Sequence, residues 1–312
     1  MALHKQTYAM KLISPVLLLI LGISLSFSSC KKETDADIND DGINSDVALN
    51  PNEHPRLILK FKFDSTQVRL NAFGQIATVP SGHAAQSPVF RKMSSHYIEL
   101  ATNDFTAIGG GAVLFKNLET MAGGNKAIDF ENSKVVGPGE EFFSIPLSQV
   151  PAGSYKWLRA SLAYQNYDVK VKFLGNQFTG TVASFIGYNT YIKTYSPLNV
   201  PITVNDDKAQ GYWAFEAFNQ VTSGQAPAGA TTVVNPLFLN SPLPSGSCLV
   251  TGQFANSNMV ITGNETQDII VEVSLSTNKS FEWIDNGDGI YEPEVGDAVI
   301  DMGIRGMLPT VQ

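Results

Sequence analysis

The first apolar segment lies near the start of the chain, over residues 12–27, and is interrupted by Pro15, Gly22 and three serines. It follows a short basic start that contains Lys5 and Lys11, and it ends at Ser28 and Ser29. A basic start, about 15 apolar residues and small residues before a cleavage point are typical of a secretory signal peptide. The run is shorter than the roughly 20 residues that a membrane-spanning helix needs. The pattern therefore predicts a signal peptide over residues 1–29.

Beyond residue 55 the apolar residues recur in short runs that alternate with polar residues, which is typical of half-buried β-strands. Phe61 and Phe63, for example, alternate with lysines. Turn residues separate the runs. One run, 212–218, is equally compatible with a short helix. The runs with this signature are residues 57–63, 96–100, 112–115, 140–146, 178–186, 190–192, 212–218, 247–254, 268–276 and 281–284.

The stretch 155–173 is long for a single strand, and polar residues interrupt its alternation at 166–168. We predict two antiparallel strands joined by a turn there. A further turn at Gly175 and Asn176 leads into the next strand.

Strands at this spacing predict an all-β fold, an antiparallel β-sandwich with long loops, over residues 56–312. Residues 30–55 are polar and acidic, and we expect a flexible tether there. Hydrophobic residues make up 43% of the chain and charged residues only 16%, which excludes a disordered protein. The formal net charge is -8, and no stretch is dense in Lys and Arg, so nucleic acid is excluded as the main partner.

Cys30 directly follows the apolar run and its two small residues. This arrangement resembles a bacterial lipobox, in which the cysteine is acylated and becomes the new N-terminus; the alternative is a plain signal peptide with a chance cysteine. The resemblance implies that Cys30 carries acyl chains such as palmitate. The chain would then be anchored to the outer membrane and face the periplasm or the cell surface. Cys248 is the other cysteine, and we expect it buried in a strand.

Two acidic segments have oxygen donors at spacings that suit Ca²⁺, the one cofactor that the residues suggest. In the tether, Asp37, Asn39 and Asp41 match positions 1, 3 and 5 of a calcium loop, but Ala48 replaces the bidentate Glu at position 12. The alternative is a solvated acidic tether. The second candidate site lies in residues 285–297, with the donors Asp285, Asn286, Asp288, Glu292 and Asp297. The alternative there is a hairpin turn.

Catalytic motifs are not apparent in the sequence. His54, His83 and His96 are not at metal-ligand spacing, and we expect them at the surface or in loops. No Gly-x-Ser-x-Gly, His-Glu-x-x-His or Gly-x-x-x-x-Gly-Lys motif is present. We therefore favour a protein that is not an enzyme.

Aromatic residues cluster in the middle third of the chain. On one exposed face of a sandwich they would suit a glycan or a protein partner. The alternative is that they fill the core. The residues selected for such a face are Trp157, Tyr167, Tyr212 and Trp213.

The tether together with residues 151–159 and 211–216 resembles an uncharacterised group of Bacteroidota outer-membrane lipoproteins. The strand entry with Pro151, Gly153 and Tyr155 is also similar to β-sandwich copper-binding proteins of the MbnP type. No His/Met set matches a copper site, so this similarity implies no copper here. The interpretation that follows is a non-enzymatic cell-envelope lipoprotein that binds a ligand or partner. The alternatives are a structural or adhesive envelope protein that Ca²⁺ rigidifies and, third, a glycan-acting enzyme.

Overall fold

The structure is a computed structural model that describes residues 54–71, 75–226, 241–304 and 306–312. These residues form twenty β-strands and two single-turn 3-10 helices, Leu147–Gln149 and Pro293–Val295. The strands are β1 (Arg56–Asp64), β2 (His83–Gln86), β3 (Val89–Ala101), β4 (Ala112–Lys116), β5 (Glu119–Thr120), β6 (Ala127–Asp129), β7 (Glu141–Pro146), β8 (Gly153–Tyr155), β9 (Trp157–Phe173), β10 (Asn176–Phe185), β11 (Asn189–Tyr195), β12 (Ile202–Ala209), β13 (Tyr212–Ala217), β14 (Gln220–Gln225), β15 (Cys248–Gln253), β16 (Met259–Ile261), β17 (Ile269–Ser276), β18 (Phe281–Ile284), β19 (Ala298–Met302) and β20 (Met307–Val311).

A central sheet of seven strands organises the fold, in the order β14-β13-β10-β9-β3-β4 with β15 also paired to β9. All of its strand pairs are antiparallel. Three further sheets have the orders β20-β17-β1-β7, β12-β11-β6-β5 and β19-β18-β2, and β16 pairs with β8. The prediction of an all-β, sandwich-like fold with antiparallel sheets is confirmed.

Two pairs of strands are parallel, which the sequence did not predict. β1 runs parallel to β17, and β6 runs parallel to β11. Parallel neighbours need a long connection between them, and the whole central sheet lies between β1 and β17 along the chain. Pairing of this kind is invisible to local alternation, which identifies strands but not their partners.

The main core packs the four-stranded sheet of β1, β7, β17 and β20 against one face of the central sheet. Its aromatic centre includes Phe61 and Phe142, whose rings lie 4.9 Å apart. A second core lies on the opposite face of the central sheet, under β11 and β12. The buried residues of this second core are Tyr164, Ala183, Phe185, Ile192, Tyr195, Tyr212 and Ala214.

The prediction of a turn at residues 166–168 is wrong, because β9 is one continuous strand of 17 residues. The polar residues that suggested the turn have partners on neighbouring segments. Asn166 Nδ2 donates to the carbonyl of Pro197 at 2.7 Å. Asp168 Oδ1 accepts a hydrogen bond from Thr181 Oγ1 at 2.7 Å. Side chains that favour turns when solvated are thus satisfied inside the sheet.

The alternation of β9 breaks because its neighbours change. β15 pairs with it as far as Leu162, and β10 pairs with it from Tyr164 onward. At the same level β3 has register shifts between Ser94 and Ser95 and between Ser95 and Tyr97. Bulges bend and twist a strand pair, so the residues that point to one core change parity without a turn.

The turn predicted at Gly175 and Asn176 is present, shifted by one residue. Phe173 pairs with Asn176, and the two residues between them have positive φ, 50° for Leu174 and 75° for Gly175. Two left-handed residues define the type I′ hairpin, whose twist matches that of the strands. This hairpin joins β9 to β10.

Most strands expected from alternation are confirmed, including 212–218, which is the strand β13 rather than a helix. Cys248 is buried in β15, as predicted. The strands that were not predicted are β2, β5, β6, β8, β12, β14, β16, β19 and β20. β12, for example, has the sequence ITVNDDKA, in which only Ile202 and Val204 pack against the second core before a polar run begins.

Candidate functional site

A cleft of about 410 Å³ lies between one end of the central sheet and the three-stranded sheet of β18 and β19. The lining residues within the described ranges include no charged side chain, and their polar groups include the side chains of Thr222 and Gln225 and the phenol of Tyr291. The other lining residues are apolar or aromatic: Val169, Val171, Val182, Trp213, Phe215, Ala226, Phe281, Pro293, Val299, Ile300 and Met302.

The floor of the cleft is built by directly opposed residues on adjacent strands. Val182 of β10 pairs with Phe215 of β13, and Phe215 pairs with Thr222 of β14. Trp213 lies two residues before Phe215 and therefore projects from the same face. Directly opposed side chains on one face of a sheet are the pairs that contact one another.

Two glycines make room for the aromatic rings of the floor. A Cβ atom on Gly224 would lie 2.9 Å from the indole of Trp213, and one on Gly180 would lie 2.1 Å from the ring of Phe215. Both rings thus lie on bare backbone of a neighbouring strand. Glycine within a strand often marks a close approach of this kind. The glycines keep the floor flat and the cleft open.

The opposite wall is aromatic as well. Phe281 of β18 and Tyr291 line the cleft, with ring centroids 5.2 Å apart in an edge-on arrangement. The ring of Trp283 lies 5.5 Å from that of Tyr291 and is 1% exposed, so it supports the wall from behind. Burial raises the pKa of Tyr291, which keeps its phenol neutral at physiological pH.

The segment 285–297, here called the acidic loop, carries Tyr291 and is docked on β9. The N–H of Lys172 donates to the carbonyl of Tyr291 at 2.9 Å, and Lys172 Nζ lies 2.5 Å from Glu292 Oε1. The N–H of Leu174 donates to the carboxylate of Glu294 at 2.7 Å. These contacts hold the acidic loop against the β9–β10 hairpin as one wall of the cleft.

The five donors predicted to bind Ca²⁺ in the acidic loop do not form one site. Asp285 accepts hydrogen bonds from Gly287 and Gly289, Asn286 from the N–H of Asp288, and Asp288 from the N–H of Ile290. Asp297 accepts from the N–H of Glu292, whose own carboxylate pairs with Lys172. In the described ranges no three Asp, Glu, His or Cys side chains are arranged to hold a metal ion. In this structure the donors accept hydrogen bonds from the loop backbone, as the hairpin-turn alternative expects, and Ca²⁺ binding by this loop stays a prediction.

The aromatic residues selected from the sequence do not share one face. Tyr167 has no exposed surface, and its hydroxyl donates to the carbonyl of Met302 at 2.8 Å. Tyr212 belongs to the second core, and Trp213 lines the cleft, because adjacent residues of β13 point to opposite faces of the sheet. Trp157 lies at the far end of β9 and donates to Asp104 at 2.5 Å. The prediction is therefore wrong for Tyr167 and Tyr212, which fill the core. Of the four aromatic residues selected, only Trp213 lines the cleft.

The expectation of surface or loop histidines is also wrong for two of the three. His96 lies in β3 and is 1% exposed, with Nε2 3.3 Å from Glu119 Oε1. His83 lies in β2 and contacts the buried carboxylate of Glu282, which also contacts Arg69. Partners for these histidines come from distant parts of the chain, which spacing along the sequence does not reveal. His54 is exposed, as expected.

Residues 1–53 lie outside the described residues, and with them the predicted lipidation site Cys30 and the candidate calcium ligands Asp37, Asn39 and Asp41. Within the described ranges, none of the helices has the length and apolar character that crossing a membrane requires.

Phe215 and Tyr291 are the main cleft residues that the sequence analysis missed. A usable signal was present for part of the floor, because Gly180 is an isolated glycine inside the predicted strand 178–186. No local signal identified Tyr291, whose place depends on the docking of the acidic loop.

Comparison with models of known protein families, with curated proteins and with solved structures finds no match for this chain.

Proposed function

We propose that this protein is a lipid-anchored protein of the cell envelope that binds a small apolar ligand in the cleft, without chemical turnover. The observation that carries the proposal is the cleft itself, about 410 Å³ of space lined by uncharged, mainly apolar side chains. Small-molecule sites typically occupy 300–1,000 Å³ and combine an apolar lining with a few polar groups. Thr222, Gln225 and the phenol of Tyr291 supply those groups here.

The lining favours binding over catalysis. In the part of the chain that the structure describes, none of the lining residues is a His, Cys, Ser, Lys, Arg, Asp or Glu. General acid–base and nucleophilic catalysis rely mainly on those side chains, placed within hydrogen-bond reach of the reacting atoms. Tyr291 contributes a phenol whose pKa burial raises, which makes it a hydrogen-bond partner rather than a base.

The same lining favours an apolar ligand over a glycan. A sugar brings many hydroxyl groups, and a hydroxyl that is buried without a hydrogen bond costs about 1–3 kcal/mol. Three polar side chains cannot satisfy a sugar ring. An apolar ligand gains about 25 cal/mol for each Å² that it removes from water.

Titration with N-phenyl-1-naphthylamine, a neutral apolar probe that fluoresces on burial, tests the proposal. Thr222→Trp places a large ring in the cleft from an exposed position on the edge strand β14. Its matched control is Ser223→Trp, since Ser223 is exposed on the same strand and adjacent residues point to opposite faces. We expect saturable binding to the natural protein and to the control, and a loss of at least tenfold in affinity for Thr222→Trp.

Equal binding by the two tryptophan variants would contradict the cleft as the binding site. Absence of saturable binding to the natural protein would contradict the proposed function itself.

The proposed anchor is tested separately through Cys30. The apolar run is too short to hold the chain in a membrane as a spanning helix, whereas acyl chains contribute roughly 0.8 kcal/mol for each buried CH₂. Cys30→Ala should therefore move the protein from the membrane fraction to the soluble fraction of cells. A variant that still sediments with membranes after a high-salt wash would contradict the lipoprotein assignment.

A further inference from the structure

The wall formed by the acidic loop has an excess of negative charge. Residues 285–297 include five acidic residues and no basic residue. The lysine that docks on the loop, Lys172, already pairs with Glu292 at 2.5 Å. The hydrogen bond from the N–H of Ile290 holds the pKa of Asp288 below its ordinary value, so this carboxylate is ionised at neutral pH.

Aromatic rings line both sides of the cleft next to this wall. Trp213 and Phe215 form the floor of the cleft. Phe281 and Tyr291 form the wall that faces the floor, and Tyr291 belongs to the acidic loop itself. The face of an aromatic ring attracts a cation through its quadrupole, and groups of such rings recognise quaternary ammonium ligands. Among the described residues that line the cleft, none is a lysine, arginine or histidine that would oppose this attraction.

We infer that the cleft is selective for organic cations, that is, for ligands with an apolar body and an ammonium group. The inference rests on the proposed function, because it names the class of ligand that the same cleft takes. The apolar body fills the uncharged lining, and the ammonium group lies against the aromatic rings near the acidic loop.

An anionic ligand of the same shape is disfavoured on two grounds. Its charge would be repelled by the carboxylates of the acidic loop. It would also lose its hydration shell in a cleft whose described lining residues offer no cationic partner. A neutral ligand lacks both the penalty and the gain, so its affinity should fall between those of the cation and the anion.

Competition against N-phenyl-1-naphthylamine tests this selectivity with three ligands that share one ring system. They are 1-naphthylmethylammonium, 1-naphthylmethanol and 1-naphthylacetate, measured with EDTA present to remove divalent cations. We expect the cation to bind on the order of tenfold more tightly than the anion at low ionic strength. The ratio should shrink as salt is added, because salt screens the loop charges.

A variant with fewer charges in the acidic loop tests whether those charges cause the selectivity. Asp288→Asn with Glu294→Gln removes two charges but keeps oxygen acceptors for the N–H groups of Ile290 and Leu174. The control is Asp206→Asn with Glu131→Gln, which removes two charges from exposed residues that do not line the cleft. The loop variant should lose most of the cation-to-anion ratio, and the control should keep it.

Probe binding with equal competition by the ammonium and the acetate would overturn the inference and leave the proposed function standing. A ratio that is unchanged in the loop variant, or lowered equally in the control, would also overturn it. Failure of the probe itself to bind the natural protein would overturn both.

Discussion

The indole of Trp213 lies against the bare backbone of Gly224, its directly opposed partner on the neighbouring strand. A Cβ atom on Gly224 would lie only 2.9 Å from the ring, closer than real side chains approach. The glycine therefore determines where the indole lies, and the indole in turn forms part of the floor of the cleft. The ring of Phe215 likewise lies against Gly180 of β10, where a Cβ atom would be 2.1 Å from the ring, although its directly opposed residues are Val182 and Thr222.

Replacing Gly180 or Gly224 by alanine should destabilise the protein, and the loss should be larger where the new Cβ atom lies closer to the ring. The new Cβ would lie 2.1 Å from Phe215 in Gly180→Ala and 2.9 Å from Trp213 in Gly224→Ala. Overpacking typically costs about 1–3 kcal/mol, so we expect urea denaturation to show losses in that range, larger for Gly180→Ala. Both variants should also bind the apolar probe less tightly.

Gly153→Ala is the control for these substitutions, because its new Cβ would lie 3.5 Å from the nearest atom, an ordinary contact. It should leave the free energy of unfolding unchanged or raise it by a few tenths of a kcal/mol. A control as unstable as Gly224→Ala would show that packing against the rings is not the cause.

Leu174→Asn should stabilise the protein. Leu174 has a φ of 50° at the tip of the β9–β10 hairpin and is 75% exposed. Left-handed backbone costs most residues about 1–2 kcal/mol, whereas Asn followed by Gly is the preferred type I′ pair. We expect a gain of about 0.5–1 kcal/mol in the free energy of unfolding. Phe105→Asn, at a 94% exposed residue without positive φ, is the control and should change stability little.

Glu119 should account for part of the loss of stability in acid. Burial would raise the pKa of its carboxyl, but its polar contacts with His96, Lys126 and Tyr188 outweigh burial and lower the pKa from 4.5 to about 2. A lowered pKa in the folded state stabilises the fold above the ordinary pKa. That contribution should be lost as the pH falls from about 4.5 to 2.

Glu119→Gln should therefore be less stable than the natural protein at pH 7, by about 2 kcal/mol, and the difference should narrow towards pH 2. Denaturation at several pH values measures this. Glu131→Gln is the control, because Glu131 is exposed and pairs with Lys193 at only 3.8 Å, so its effect should be small at every pH. A Glu119→Gln difference that stays constant between pH 7 and pH 2 would contradict the assignment.

The local alternation of apolar and polar residues was sufficient to predict most strands, but not to predict how the strands pair. Alternation identified β1 and β17 as strands, but their parallel pairing depends on residues more than two hundred positions apart. It misplaced a turn inside β9, because Asn166 and Asp168 find their partners on segments that the local sequence does not specify. Tertiary partners overrode an intrinsic preference for turns.

Fewer features of the candidate site than of the fold could be predicted from the sequence, for a related reason. Tyr212 and Trp213 are adjacent aromatic residues in one run, yet Tyr212 is in the second core and Trp213 lines the cleft. Which face of a strand is covered depends on the other sheets. The acidic loop was recognised as distinctive, but its role as a wall depends on its contacts with Lys172 and Leu174.

Contact quenching of Trp213 tests the central claim, that the cleft binds an apolar ligand, most directly. The chain has three tryptophans, so Trp157→Phe with Trp283→Phe leaves Trp213 alone, and Trp213→Phe with Trp283→Phe leaves Trp157 alone. Bromine quenches an indole only near contact, and 4-bromobenzyl alcohol is a neutral ligand that carries it. We predict saturable quenching of Trp213 and only weak, linear quenching of Trp157. Equal, unsaturable quenching of both would contradict a ligand site in the cleft.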